Sequence, residues 1–251
     1  MKRLIIFFIL LASLSLTFGC SKSNDDSEFK GMTAKQIFDE AEAKLAKEDY
    51  AAATKRYEAL DAMYPFSEYS ERGMLDSIYA YYQNEDYALA SATADRYIHL
   101  YPRSAYVDYA YYMKGRADFE QARGILAKFI PIDVSYRDPG TQNQAYNDFQ
   151  MLIQRYPDSP YTADARQRMV YLRNMFAQSE LNIAEYYMKR KMYVAASNRA
   201  AYIVENYAQS PQAEGALVIL VKANRALGLN QAADDALKVL NDTYPKKNRR
   251  L

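Results

Sequence analysis

The chain has 251 residues, 50% hydrophobic and 25% charged, which is ordinary globular composition with enough apolar material for a substantial core. Its 32 basic and 31 acidic residues leave a net charge of +1, which gives no electrostatic case for bulk nucleic-acid binding. Eight Gly and eight Pro are few for this length and argue against a turn-rich sheet protein.

The N-terminus, "MKRLIIFFILLASLSLTFGC", has a basic start at Lys2 and Arg3, an apolar run from Leu4 to Phe18, and then Gly19-Cys20. The run is short for a membrane span, which needs about 20 apolar residues, and reads as a secretory signal over residues 1–19. Removing Lys2 and Arg3 takes the count to 30 basic against 31 acidic, a net −1. Cys20 is the only cysteine, so it cannot form an intramolecular disulfide. The stretch resembles a bacterial lipobox, which implies lipid attachment at Cys20 and firm anchoring to a bilayer. Thr17 and Phe18 depart from that pattern. The polar residues behind Cys20, to about residue 33, read as a tether. Ser21 follows the cysteine where Asp does not, which by resemblance to lipoprotein sorting implies the periplasmic face of the outer membrane.

An internal repeat organises the rest. "YPFSEY" starts at Tyr64, "YPRSAY" at Tyr101 and "YPDSPY" at Tyr156, with degraded copies at Tyr207 and Tyr244, spaced 37, 55, 51 and 37 residues apart. A second echo precedes them: "DYAAA" at Asp49, "DYALA" at Asp86, "MYVAA" at Met192 and "NQAAD" at Asn230. Between the echoes the apolar spacing is helical, as in Ala53, Tyr57, Leu60 and Tyr64. Each unit therefore reads as two helices, with small Ala at the close contact and Pro forbidding continuation. Ser67, Ser104 and Ser159 stand as N-caps of the following helices. Helix, turn, helix, proline at this period resembles the tetratricopeptide repeat. The expected fold is all-α, a superhelix of five such repeats at about 34–67, 71–104, 108–159, 177–210 and 214–247, with a basic tail at 248–251.

The 51-residue spacing predicts one long helix, because Tyr161 to Lys191 holds neither Gly nor Pro. The 55-residue spacing contains "FIPIDVSYRDPG", a loop placed at 125–138 inside the third repeat. Asp138 and Pro139 stand as the N-cap and first position of the next helix.

No catalytic constellation is visible. The single histidine, His99, is expected to be a half-buried helix residue, and no Gly-rich phosphate loop or metal-ligand spacing is present. No enzyme activity, cofactor, metal or nucleic-acid partner is expected. Tyrosine is the unusual resource, with 25 Tyr and no Trp. The repeat frame turns Tyr79, Tyr82, Tyr109 and Tyr112 into the concave groove, with Arg72 and Arg116 beside them. Aromatic faces with adjacent cations suit a peptide that ends in a carboxylate.

The signal, tether, five repeats, "ALDAMYPFSEYSERGMLDSIYAYY" and "IDVSYRDPG" together resemble the BamD family of outer-membrane assembly lipoproteins, over essentially the whole chain. The Asp133, Ser135, Arg137, Asp138 and Pro139 loop is the particular element, with a structural role as the expected one. The resemblance implies a non-enzymatic, lipid-anchored subunit of the β-barrel assembly machine. It implies binding to the POTRA domain of a BamA-like barrel protein, with Arg199 at that contact, and to other lipoproteins of the machine. It also implies that the N-terminal groove receives C-terminal signals of unfolded outer-membrane proteins, each an aromatic residue followed by a carboxylate. Two other classes remain open at this point: a different tetratricopeptide lipoprotein, such as a secretin pilotin, and a cell-wall enzyme or its accessory.

Overall fold

The computed structural model describes residues 28–123 and 140–245. Among them there are ten α-helices and no strand: α1 Ala34–Leu45, α2 Tyr50–Met63, α3 Ser70–Gln83, α4 Tyr87–Leu100, α5 Val107–Arg123, α6 Gly140–Arg155, α7 Thr162–Lys189, α8 Tyr193–Asn206, α9 Ala213–Ala226 and α10 Asn230–Thr243. Each helix packs on the next in the chain, and α3 also meets α5 while α7 meets α9. This is the helix-turn-helix stack that the repeat predicts.

The helix pairs close through small residues. Ala41, Ala53, Ala90, Ala184 and Ala196 are completely buried, and Tyr57, Leu60 and Tyr97 fill the space around them. An Ala at the crossing lets two helix backbones approach, and the larger side chains then bury apolar surface at about 25 cal/mol per Å². In the α5–α6 pair the small residue is Gly115. A Cβ built there would stand 2.8 Å from Phe149, so the Phe149 ring occupies the space a side chain would need.

The turn inside four of the pairs has one geometry. Glu48, Glu85, Lys191 and Gly228 all have φ between 58° and 74°. The next residue donates its N–H to a carbonyl five residues back: Asp49 to Lys44, Asp86 to Tyr81, Met192 to Tyr187 and Leu229 to Asn224. This is the left-handed helix ending that glycine favours, yet only one of the four uses glycine.

The turn between pairs differs from the sequence expectation. Tyr64, Tyr101, Tyr156 and Tyr207 each end a helix and accept the N–H of the serine three residues on, at 2.8–3.1 Å. The Tyr207 turn forms with Ala208 in place of proline, so the proline is compatible with this turn and does not cause it. Ser67, Ser104 and Ser159 do not cap the following helices. The N-caps are Tyr69 for α3 and Tyr161 for α7, neither with a side-chain cap bond. Hydroxyls close the turn itself: Ser70 Oγ donates to the Tyr64 carbonyl at 2.6 Å and Thr162 Oγ1 to that of Tyr156 at 3.1 Å.

The long helix α7 joins the two halves. Its N-terminal part packs with Phe149 and Leu152 of α6 through Ala165 and Leu172. Its C-terminal part packs with α8 and α9 through Ala177, Leu181 and Ala184.

Candidate peptide groove

The first helices of successive pairs place their tyrosines side by side. On α3, Arg72, Asp76 and Tyr79 share one face at i, i+4 and i+7, and on α5 Tyr109, Tyr112 and Arg116 do the same at i, i+3 and i+7. Tyr79 is 37% exposed and meets the edge of Tyr50, with ring centroids 6.3 Å apart. The Tyr109 ring packs on Tyr161 at 5.6 Å. Burial, then the nearby Tyr161, Asp76 and Tyr79, push the Tyr109 hydroxyl far above its ordinary pKa, while Arg116 opposes them. Tyr109 thus ties the α3 and α5 faces into one surface.

Arg116 sits at the centre of the α5 part. Its Nη2 donates to the Tyr82 hydroxyl at 2.7 Å. Its guanidinium carbon lies 4.4 Å from the Tyr82 ring centroid and 5.6 Å from that of Tyr112. Its Nε is buried and has no hydrogen-bond acceptor. No carboxylate of the described residues stands within 4.0 Å of it. A half-buried guanidinium held by two ring faces and short of an acceptor favours an incoming anion.

Arg72 is placed differently. Its Nε donates to Asp76 Oδ2 at 2.6 Å. Burial raises the Asp76 carboxyl to about 6 against the opposing pull of Arg72. Arg72 is therefore already engaged, and Arg116 is the available cation of the two.

Three groove residues come from α7 and its N-cap and were absent from the sequence expectation. Tyr161 stacks on Tyr112 at 4.7 Å and 15°. Tyr112 donates its hydroxyl to Asp164 Oδ2 at 2.8 Å, and Arg168 Nε donates to the same oxygen at 2.6 Å. Arg168 also lies 5.1 Å from the Phe119 ring centroid. Burial disfavours the Asp164 carboxylate, but the bonds from Arg168 and Tyr112 outweigh it and hold its pKa below the ordinary value. Burial and the Asp164 bond both raise the Tyr112 hydroxyl. A positional signal existed: Tyr161 lies five residues after Tyr156, as Tyr69 and Tyr106 do after Tyr64 and Tyr101.

The other candidates fall elsewhere. Arg199 lies on α8, outside the groove, with Nη1 2.9 Å from Glu180 Oε2 of α7. Cys20 and the loop residues Asp133, Ser135, Arg137 and Asp138, with Pro139, lie outside the described residues. His99 is exposed rather than half-buried, and its Nδ1 lies 2.8 Å from the Asp95 carbonyl oxygen. Among the described residues no group of His, Cys, Asp and Glu could hold a metal ion. No described helix is long and apolar enough to cross a membrane.

A stack of helix pairs whose first helices carry a cluster of tyrosines around Arg116 defines a helical-repeat protein. The chain belongs to the YfiO family, described as outer membrane lipoprotein, whose family model matches residues 30–240. It is 39% identical over 224 residues to outer membrane protein assembly factor BamD of Vibrio cholerae, covering 89% of this chain and 92% of that one. It is 36% identical over 237 residues to BamD of Xylella fastidiosa strain Temecula1, covering 94% and 81%. To BamD of Neisseria meningitidis serogroup A it is 35% identical over 247 residues, covering 98% and 92%.

Proposed function

We propose that this chain is a non-enzymatic assembly factor for outer-membrane proteins, anchored through a lipid on Cys20 to the periplasmic face of the outer membrane. Its relatives carry the name of that role over most of both chains. Its substrate groove is the α3–α5–α7 surface, where it takes the C-terminal signal of an unfolded outer-membrane protein. The observation that carries this reading is Arg116: a cation held over the rings of Tyr82 and Tyr112, with a buried Nε lacking an acceptor. The terminal carboxylate pairs with Arg116, and the aromatic side chain of the signal packs among Tyr109, Tyr112 and Tyr161. Tyr79 and Arg72 border the path, with Arg72 held by Asp76.

Arg199, on α8 and outside the groove residues, contacts the POTRA domain of a BamA-like barrel protein. Further lipoproteins of the β-barrel assembly machine complete the assembly. The loop of Asp133, Ser135, Arg137 and Asp138 has a structural role.

Two experiments test the reading. Cross-linking of a C-terminal signal peptide drops in Tyr82→Ala with Arg116→Ala if the groove is the receptor; undiminished cross-linking places the receptor elsewhere. Co-purification from detergent-solubilised outer membrane recovers a BamA-like barrel; recovery of a secretin in its place contradicts the machine assignment.

A further inference from the structure

A second cleft lies between α7 and α9, beyond the groove already described, with an open volume of about 690 Å³. Its walls run parallel and in register. Gln212 Nε2 donates to Gln178 Oε1 at 3.1 Å, and a Cβ built on Gly215 would lie 3.3 Å from Leu181. Both pairs are 34 residues apart, and the same offset carries the far end of the cleft to Lys222 opposite Met188 and Lys189. Gly215, with no side chain, leaves the floor over Leu181 open, and Val218 and Ile219 continue the apolar lining.

The two ends differ chemically. At the α9 N-terminal end the amides form a chain: Gln212 donates to Gln178, and Gln178 Nε2 donates to Asn182 Oδ1 at 2.8 Å. The chain leaves Gln212 Oε1 buried without a donor. An extended backbone supplies N–H donors of that kind at regular intervals. At the other end Lys189 and Lys222 are exposed, and no carboxylate of the described residues stands within 4.0 Å of either. Glu185 lies between the ends. Glu214 stands at the amide end, so the two carboxylates disfavour an acidic group everywhere but at the lysine end.

From these features we propose that the α7–α9 cleft is a second docking groove, for an extended peptide segment of a partner protein. Its backbone meets Gln212, an apolar side chain covers Leu181 and Val218, and an acidic side chain reaches Lys189 and Lys222. Gln178 to Lys189 rises about 16 Å along the helix at 1.5 Å per residue. An extended chain covers that in about five residues at 3.3 Å each. The basic C-terminal run Lys246 to Arg250 has the wrong charge for the lysine end, which rules this chain's own tail out as the occupant.

The test uses the detergent-solubilised full chain and a fluorescein-labelled peptide, Ser-Gly-Val-Ser-Leu-Ser-Asp-Asp, read by anisotropy. The expected result is saturable binding that weakens at least tenfold when Lys replaces both Asp in the peptide. Lys189→Glu with Lys222→Glu weakens the acidic peptide by a similar factor and restores the Lys peptide. Both substitutions lie on exposed positions, and circular dichroism verifies the fold. Equal binding of the two peptides, or binding indifferent to the double substitution, overturns the proposal. So does competition of the probe by a second copy of the chain, which makes the cleft a self-association surface. Arg116→Ala leaves this binding unchanged; loss of binding there assigns the probe to the first groove and also overturns the proposal.

Discussion

Arg116 engages Tyr82 twice, donating from Nη2 to its hydroxyl at 2.7 Å while its guanidinium carbon lies 4.4 Å from the centre of the same ring. The two contacts separate by substitution. Tyr82→Phe removes the hydrogen bond and keeps the ring. Losing one hydrogen bond to a charged group is worth about 1.5 kcal/mol or somewhat more. The freed Arg116 then binds signal peptide slightly better or unchanged. Tyr82→Ala removes the ring as well and weakens peptide binding about tenfold. Titration of both variants with the same peptide checks the order.

Glu180 and Arg199 form an ion pair at 2.9 Å in which Arg199 is 46% exposed. Exposed pairs contribute about 0–1 kcal/mol, so Arg199→Ala barely changes the denaturant midpoint. If Arg199 is a POTRA contact, the same substitution lowers affinity for that domain several-fold, and Glu180→Gln, which frees the arginine, does not. Unchanged affinity in Arg199→Ala removes it from the interface.

The α5–α6 packing carries a pH dependence. Asp118 and Asp148 are both buried and their side chains lie within hydrogen-bonding reach of each other. Lys114 Nζ is 3.3 Å from Asp148 Oδ1 and 2.7 Å from Asp95 Oδ1, and the Ser91 hydroxyl favours the Asp118 carboxylate against its burial. Burial, opposed by Lys114 and reinforced by Asp118, raises the Asp148 carboxyl to about 7; burial also raises Asp118. A raised folded pKa means that the native state holds a proton the unfolded chain has released. Stability therefore falls as pH rises from about 4 to about 7, by at most about 1.4 kcal/mol per pH unit for one proton. Asp148→Asn removes its own part of this slope and leaves that of Asp76, whose carboxyl is also raised. Thermal midpoints measured across pH 4.5 to 8 read it directly.

Glu48, Glu85 and Lys191 hold left-handed backbone at φ of 58°, 66° and 60°, where the fourth turn has Gly228. The left-handed conformation costs a non-glycine residue about 1–2 kcal/mol, partly offset by the greater freedom glycine has when unfolded. Glu85→Gly and Lys191→Gly should each stabilise the fold by up to about 1 kcal/mol in urea titration. Gly115→Ala should do the opposite, by about 1–3 kcal/mol, because its Cβ meets Phe149 at 2.8 Å and that ring is fully buried.

The fold was legible because its signals are local and repeated. Alanine at Ala53, Ala90 and Ala196 and tyrosine at Tyr57 and Tyr97 recur at helical spacing, and these positions are the buried ones. The serine turns were misread because a serine before a helix suggests a cap, whereas whether its hydroxyl or its backbone makes the bond depends on φ and ψ. Arg72 was placed beside the tyrosines as a partner for a carboxylate, yet Asp76 stands at i+4, a spacing that places two helix side chains together, and takes it. Tyr161, Asp164 and Arg168 were missed because they complete the groove only when the start of α7 meets α5, a relationship between residues 49 to 52 positions apart. Arg116 was named beside its tyrosines, but that its Nε is buried without an acceptor is a three-dimensional fact.

If Arg116 receives a terminal carboxylate, binding depends on that carboxylate only while the arginine is present. A signal peptide ending in an aromatic residue is titrated with its free carboxylate and with a C-terminal amide, against the native chain and against Arg116→Gln. Amidation weakens binding to the native chain about tenfold, the scale of one charge-assisted pair, and makes no difference in Arg116→Gln. Equal binding of acid and amide by the native chain, or the same loss in both proteins, contradicts it.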